Sequence, residues 1–452
     1  MDHQLELGVA RKDITPGNAG HLAGDVLDNE HAVSMIHKQL FAQSLFLTDG
    51  AARLLLITID VCKVSDYMLA NVISSLSDQL DLTPAEIMIA ASHTHSAPQT
   101  IEIDAVPGTF DREFVAHATN GMINSAISAI EITEPVTLRY ETGRSDIGVN
   151  KRLVTPWGVM MRANLTGSYD PEVGVLIAER KPQVPAAIVC CYASHPVGHL
   201  RTEISSDLTG YFREEIESTF ANCMAFHVLG CAGDVSPRAR WNNTDYEIGN
   251  PHSGVGRRLL PEKQSKIFMS NIGKELASIA ITCVKKQSPS LSTIVLRGAK
   301  RTIALPLQQP VSESVLSSIL SLPFSYRHAG WAERMLNKQA HGEKLEEHQL
   351  YSIQIWFFSN EFSIIALEGE VFSDIGLRIK NLMLPNKSLV IGHANSYKGY
   401  IPTNIAIQEG GYEPESFYSC NLPAPYRPEM EDILIRAVIE EAGKELHGLE
   451  TN

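Results

Sequence analysis

Short apolar runs separated by turn residues fill most of this chain, and several of them end on a residue that can bind a metal or move a proton. KQLFAQSLFLTDG followed by AARLLLITID predicts two strands joined through a turn at Asp49-Gly50, with Asp60 at the end of the second. A helix-like segment then leads through LTPAE to EIMIAAS, a strand that ends in His93 and His95. PAAIVCCYAS predicts a strand ending at His195-Pro196, and MAFHVLG another ending in CAGDVSPR. YSIQIWFFS and FSIIALEG flank the turn residues Asn360-Glu361 and end at Glu370, and KSLVIGHA leads into NSYKGY. Apolar positions recur every three or four residues in LTGYFREEIESTF, VFSDIGLRIKNLM and EMEDILIRAVIEEAGKEL, the spacing of one helix face.

This mixture predicts an α/β fold, with mixed β-sheets layered with helices. No internal repeat and no Gly/Ser-rich linker marks a boundary, so residues 1–452 are expected to form one large domain. The polar stretch at 240–265 reads as a long surface loop, and about 305–348 as a helical insertion. Segments of this length are uncommon unless they cover something.

Composition narrows the classes of partner. The chain is 44% hydrophobic and 20% charged, as in an ordinary globular protein. Its net charge of −14, without a Lys/Arg block interleaved with aromatics, argues against a nucleic-acid surface. No apolar stretch approaches the roughly 20 residues that a membrane-spanning helix needs. The start, MDHQLELGVARKDITPG, lacks a basic segment followed by an apolar one, so a cytoplasmic location is expected. The seven cysteines show no C-x-x-C spacing and mostly lie in apolar runs, which predicts buried thiols rather than a cysteine zinc site.

The candidate chemistry lies at strand ends. His93, His95, His195, Asp234 with Ser236, Glu370 and Tyr400 all follow apolar runs, and open α/β sheets bind ligands beyond their strand ends. One shared site is therefore expected. In a strand His93 and His95 would leave the same face, an arrangement that suits either a metal or a plain hydrogen-bonded pair. Two histidines and a glutamate from distant segments would meet the needs of a zinc ion that keeps a position for water. His195 could equally be a core histidine before a proline turn, Glu370 a helix-start carboxylate, and His199 a ligand or a loop residue.

Five islands, HTHSAP, SHP with SSDLTGY downstream, GCAGDVSPR, LEGEVF and NSYKGYIPT…GGYE, together with the opening GVARKDITPG, resemble the neutral/alkaline, non-lysosomal ceramidase family in content and order, over about residues 7 to 420. The resemblance implies a ceramidase-like catalytic domain holding one Zn2+, with His93, His195, Glu370 and Tyr400 as ligands. It implies His95 as general base, Tyr412 as the group that stabilises the substrate carbonyl oxygen, and Arg152 lining the reaction centre. The implied reaction is hydrolysis of an N-acyl amide bond by attack of a zinc-bound water. The serine of GDVSP, Ser236, has been proposed as a nucleophile in that family. GDVSP is not a G-x-S-x-G elbow, and zinc supplies hydroxide without a serine, so Ser236 is read here as a positioning group. A metal-independent serine hydrolase remains a third reading.

Departures from the family pattern concern the substrate. HTHSAP stands for HTHSGP, GDVSPR for GDVSPN, and PVGHLRTE follows His195 where ceramidases carry G-T-S-M. The family's C-terminal immunoglobulin-like domain is not expected here, nor is secretion. An esterase or lactonase on a small soluble substrate is therefore an alternative, with Arg238 and Arg240 as candidates for recognising its carboxylate or phosphate. So is a binding protein that keeps the fold without turnover.

Overall fold

The computed structural model describes residues 4–17, 21–23, 33, 35–102, 110–198, 203–241, 262–322 and 326–450. Three sheets surround one apolar core. The first runs in the order Ile87–Ala91, Arg53–Ile59, Phe41–Thr48, Glu6–Asp13 and Glu134–Pro135. The second runs Met224–Leu229, Val184–Tyr192, Glu172–Lys181 and Thr137–Arg144. The third runs Arg297–Pro306, His348–Ser359, Phe362–Leu367 and Lys387–Ile391. Leu45 and Leu54 of the first, Leu176 and Val189 of the second, and Trp356 and Ile364 of the third meet in the shared core.

Because a sheet buries both faces only if something covers the outer one, each carries a pair of helices there. Asp66–Leu80 and Arg112–Glu131 cover the first sheet. Asp207–Thr219 and Glu262–Lys285 cover the second, and Ser373–Met383 with Met430–Glu450 the third. The helix Asp66–Leu80 shows how the sequence specifies such a layer. The Ser65 hydroxyl accepts from the Met68 amide to start it, Met68, Val72 and Leu76 form the buried stripe, and Asp81 in the left-handed region ends it.

The helix Glu262–Lys285 corrects two expectations. It begins inside the stretch read as a loop up to residue 265. Its segment Lys263–Lys285 is also, among the described residues, long and apolar enough to cross a membrane. Its apolar residues, Ile272, Leu276, Ala280 and Val284 among them, pack into the second sheet's outer core, which accounts for its hydropathy. Residues 242–261 of the polar stretch lie outside the described ones.

Each sheet contains one parallel strand pair, and these pairs position the site. Ile87–Ala91 is parallel to Arg53–Ile59, Val184–Tyr192 to Met224–Leu229, and Phe362–Leu367 to Lys387–Ile391. Backbone bonds stitch the ends together: Gly392 N donates to Leu229 O at 3.0 Å, Asn395 N to Ile89 O at 2.6 Å, and Ala91 N to His393 O at 3.2 Å. His93, His195 and Glu370 thus each follow a strand of a different sheet, Glu370 lying on the short parallel pair Glu370–Val371 with Tyr400–Ile401. The expected helical insertion consists of Glu313–Ser321 and Tyr326–Ala340, and Trp331 in it donates to Leu422 O at 2.9 Å and packs against Phe417. It therefore covers the segment that follows Tyr412.

Candidate metal centre

His93 follows the strand Ile87–Ala91 with φ of 59°, a left-handed conformation uncommon for a residue with a side chain. That backbone turns the ring inward, where Nδ1 lies 2.7 Å from the Cys62 carbonyl oxygen. His195 is fixed in the same manner, with Nδ1 2.6 Å from the Ala232 carbonyl and 3.1 Å from that of Val235. Donation from Nδ1 sets the tautomer and leaves the lone pair on Nε2 in both rings. These two atoms face one oxygen: Glu370 Oε2 lies 3.0 Å from His195 Nε2 and 3.8 Å from His93 Nε2.

Two glycines make this approach possible. Gly369 has φ of 76°, and a Cβ there would lie 2.4 Å from the Gly399 carbonyl. A Cβ on Gly233 would lie 2.2 Å from the Glu370 carbonyl, so the GDVSP turn can pass against the Glu370 backbone only as glycine. Asp234 next to it accepts from the Ser373 amide at 2.7 Å and from Asn150 Nδ2 at 2.9 Å, tying this turn to the start of the helix Ser373–Met383.

The three side chains are buried, which decides their protonation. Burial holds the His93 imidazole down at about 3 and also lowers that of His195, so both rings are neutral. Burial alone would raise Glu370, yet its carboxyl, which faces His195 and His93, is held well below the usual range. A carboxylate and two imidazoles facing one another in a buried pocket are residue types that could hold a divalent cation. His93, His195 and Glu370 offer ligand atoms all within 4.8 Å of one another.

His95 lies beside this set rather than in it. Its Nε2 is 3.3 Å from His93 Nε2, but the group of close ligand atoms that it shares is with His93 and Cys62. Tyr400 pairs with Glu370 as its parallel-ladder partner, and Glu370 N donates to Gly399 O at 2.7 Å. Burial keeps its phenol protonated well above the usual range among the described groups. The Tyr412 ring stands 5.8 Å from that of Tyr400 and is 37% exposed, so it marks where the buried cluster reaches solvent. Ser236 is fully buried on the strand Val235–Pro237, paired with Val149, directly after the residue whose carbonyl accepts from His195.

Arg152 lies beside the Tyr412 segment. It lies on the strand Gly148–Thr155, and its guanidinium bonds to Glu413 Oε2 at 2.6 Å and the Gly410 carbonyl at 2.8 Å. It clamps the segment that carries Tyr412. The ladder to the strand Gly158–Asn164 shifts register between Asn150 and Arg152, so regular alternation is broken there and both Lys151 and Arg152 reach Glu413, with Lys151 also turned toward Tyr400. Lys151 Nζ lies 5.1 Å from the centre of the Tyr400 ring and 3.6 Å from Glu413 Oε1. Burial lowers its ammonium, and Glu413 and Glu370 oppose that. Arg238 and Arg240 lie on the short turn Arg238–Trp241, and His199 lies outside the described residues.

Two further side chains near the centre were passed over in the sequence. His393 lies against His93 with ring centres 3.9 Å apart and the rings tilted by 36°, and its buried Nε2 has no hydrogen-bond partner among the described residues. Tyr397 donates from its hydroxyl to Glu370 Oε1 at 3.0 Å. Their only signal was position, in the run GHANSYKGY that follows an apolar strand and contains Tyr400.

Strand ends of three sheets that gather around a buried cluster of histidines and a carboxylate define a mixed α/β protein. The family model for neutral/alkaline non-lysosomal ceramidase, N-terminal, matches residues 5–250, and the chain belongs to that family. Its fold is similar to that of neutral ceramidase from Pseudomonas aeruginosa, at 16% identity and a TM-score of 0.72 over 99% of this chain and 75% of that one. A structure described as ceramidase complexed with C2 matches equally, at 16% identity and a TM-score of 0.72 over 98% and 75% of the two chains. No curated protein sequence matches the chain.

Proposed function

We propose that this protein is a zinc-dependent hydrolase that cleaves an N-acyl amide bond, with His93, His195 and Glu370 holding the ion and Tyr400 completing the set. The observation that carries this reading is the aim of two imidazole lone pairs at one carboxylate oxygen, with the other ring nitrogens committed to backbone carbonyls. An ion held there by His93, His195, Glu370 and Tyr400 would supply a Lewis acid and would lower the pKa of water to about 7.

The chain's own residues do the rest. His95, 3.3 Å from His93 Nε2, takes a proton from the attacking water and returns it to the leaving nitrogen. Tyr412, at the exposed edge, donates to the carbonyl oxygen as charge develops on it, and Lys151 adds positive charge from across the Tyr400 ring. Arg152 and Glu413 hold the Tyr412 segment in place. Ser236 supports the backbone that fixes His195 and is not the nucleophile.

Family membership and the neighbour bound to C2 favour an N-acylated lipid as the substrate. The departures around His95 and His195 keep a smaller amide, ester or lactone as the second reading. The test is hydrolysis of a panel containing a short-chain ceramide, simple N-acyl amides, esters and lactones by metal-loaded protein, with and without chelator. Amide turnover that is lost to the chelator and restored by zinc is expected. Turnover that survives chelation but disappears in Ser236→Ala would overturn the reading in favour of a serine hydrolase.

A further inference from the structure

We infer that Tyr397 is a positioning residue that makes Glu370 a one-oxygen ligand. The inference rests on the proposed metal site and goes beyond it, because it concerns how the carboxylate is presented. The two oxygens of Glu370 have different surroundings. Oε2 faces His195 Nε2 at 3.0 Å and His93 Nε2 at 3.8 Å, whereas Oε1 accepts the Tyr397 hydroxyl at 3.0 Å. A carboxylate free of such a bond can rotate about its last torsion and offer both oxygens to an ion. With Oε1 held by the phenol, the carboxylate is oriented so that Oε2 is the oxygen presented to it.

The phenol is itself held. The Tyr397 ring lies 4.2 Å under Lys63 Nζ, and the Tyr397 amide donates to the Val64 carbonyl at 3.0 Å, so ring and backbone are both anchored to the segment after the strand Arg53–Ile59. One loop, 392–400, therefore places three groups at the centre: His393 on the His93 ring, Tyr397 on Glu370 and Tyr400 on the ladder. Restricting Glu370 to one oxygen keeps the coordination number low and leaves room for water and substrate.

Tyr397→Phe tests this, since it keeps the ring under Lys63 and removes only the hydroxyl. Two measurements on purified full-length protein read the result: zinc affinity by chelator competition, and the visible spectrum of the cobalt(II)-loaded protein, whose intensity falls as coordination number rises. The expected result is zinc affinity about 10-fold to 100-fold weaker, a weaker cobalt band, and a melting temperature of the metal-free protein equal to that of the parent. Unchanged affinity and spectrum would overturn the role of Tyr397 while leaving the metal site intact. A parent protein that binds no zinc would remove the metal site itself and this inference with it.

Discussion

The buried histidine and carboxylate side of the centre and its exposed edge at Tyr412 are built by different means. On the buried side, His93 and His195 are each fixed by a backbone carbonyl on Nδ1, and Glu370 is locked to the Gly399 carbonyl through its own amide. All three follow strands of parallel pairs whose ends are stitched to each other. At the exposed edge, Tyr412 sits on a one-turn helix, Tyr412–Glu415, held from below by the buried Arg152–Glu413 ion pair. The first is positioned by main chain and by glycines that permit close approach. The second is positioned by side chains that sequence change can replace.

The largest expected effect lies where the two regions meet. His95→Ala should keep one ion per chain by metal analysis and lose about 10²-fold to 10⁴-fold in turnover of an N-acyl amide. Equal loss of metal and turnover would make His95 a ligand and erase the boundary drawn here. Arg152→Met removes one partner of a buried ion pair, which costs about 3–5 kcal/mol when the other charge is left unpaired. Denaturant titration should register most of that, moderated by Lys151, which stands 3.6 Å from the same carboxylate. Turnover of folded Arg152→Met should suffer mainly through KM.

Lys151→Met sharpens the same contrast from the neighbouring position. It should leave metal content unchanged and reduce kcat by about 10²-fold, the scale for losing one group aimed at developing charge. If Arg152→Met lowers kcat and Lys151→Met lowers only stability, the two residues have the opposite roles.

The smallest effect is remote from both regions. His227 is buried in the second sheet beside Thr209, 3.1 Å from its hydroxyl, and burial lowers its imidazole to about 3. The unfolded chain binds a proton there below pH 6.5 and the folded one does not, so this group's contribution is present above 6.5 and is lost as pH falls toward 3. Between pH 7 and 5 it amounts to about 2 kcal/mol. His227→Gln should flatten the stability profile by that amount, as measured by denaturant titrations at the two pH values.

Much of the fold was legible because strands and amphipathic helices announce themselves locally. The hairpin at Asp49-Gly50, the strand leading to His93 and the helices Asp207–Thr219 and Ser373–Met383 follow directly from periodicity. The helix Arg112–Glu131 did not, since its buried face is built from Ala, Ser, Thr and Gly as well as Phe114, Val115 and Met122, which blurs the apolar stripe. The site was legible as a set of strand ends but not as a geometry, because its ligands lie 102 and 175 residues apart in sequence. Arg152 illustrates the limit. The strand shifts register between Asn150 and Arg152, and neither residue type nor spacing shows that Lys151 would reach the Tyr400 ring while Arg152 binds the Gly410 carbonyl. Tyr397 and His393 were missed because each acts through another side chain, a relation that only the folded chain displays.

The central claim is that side chains from three sheets converge on one divalent ion. Isothermal titration of zinc into metal-free protein, run in parallel on the parent, His93→Ala, His195→Ala and Glu370→Ala, tests it most directly. One tight site per chain in the parent, weakened by at least about 10²-fold in each variant, is the result predicted from three ligands sharing one ion. Absence of saturable binding in the parent, or binding that all three variants retain, would contradict it.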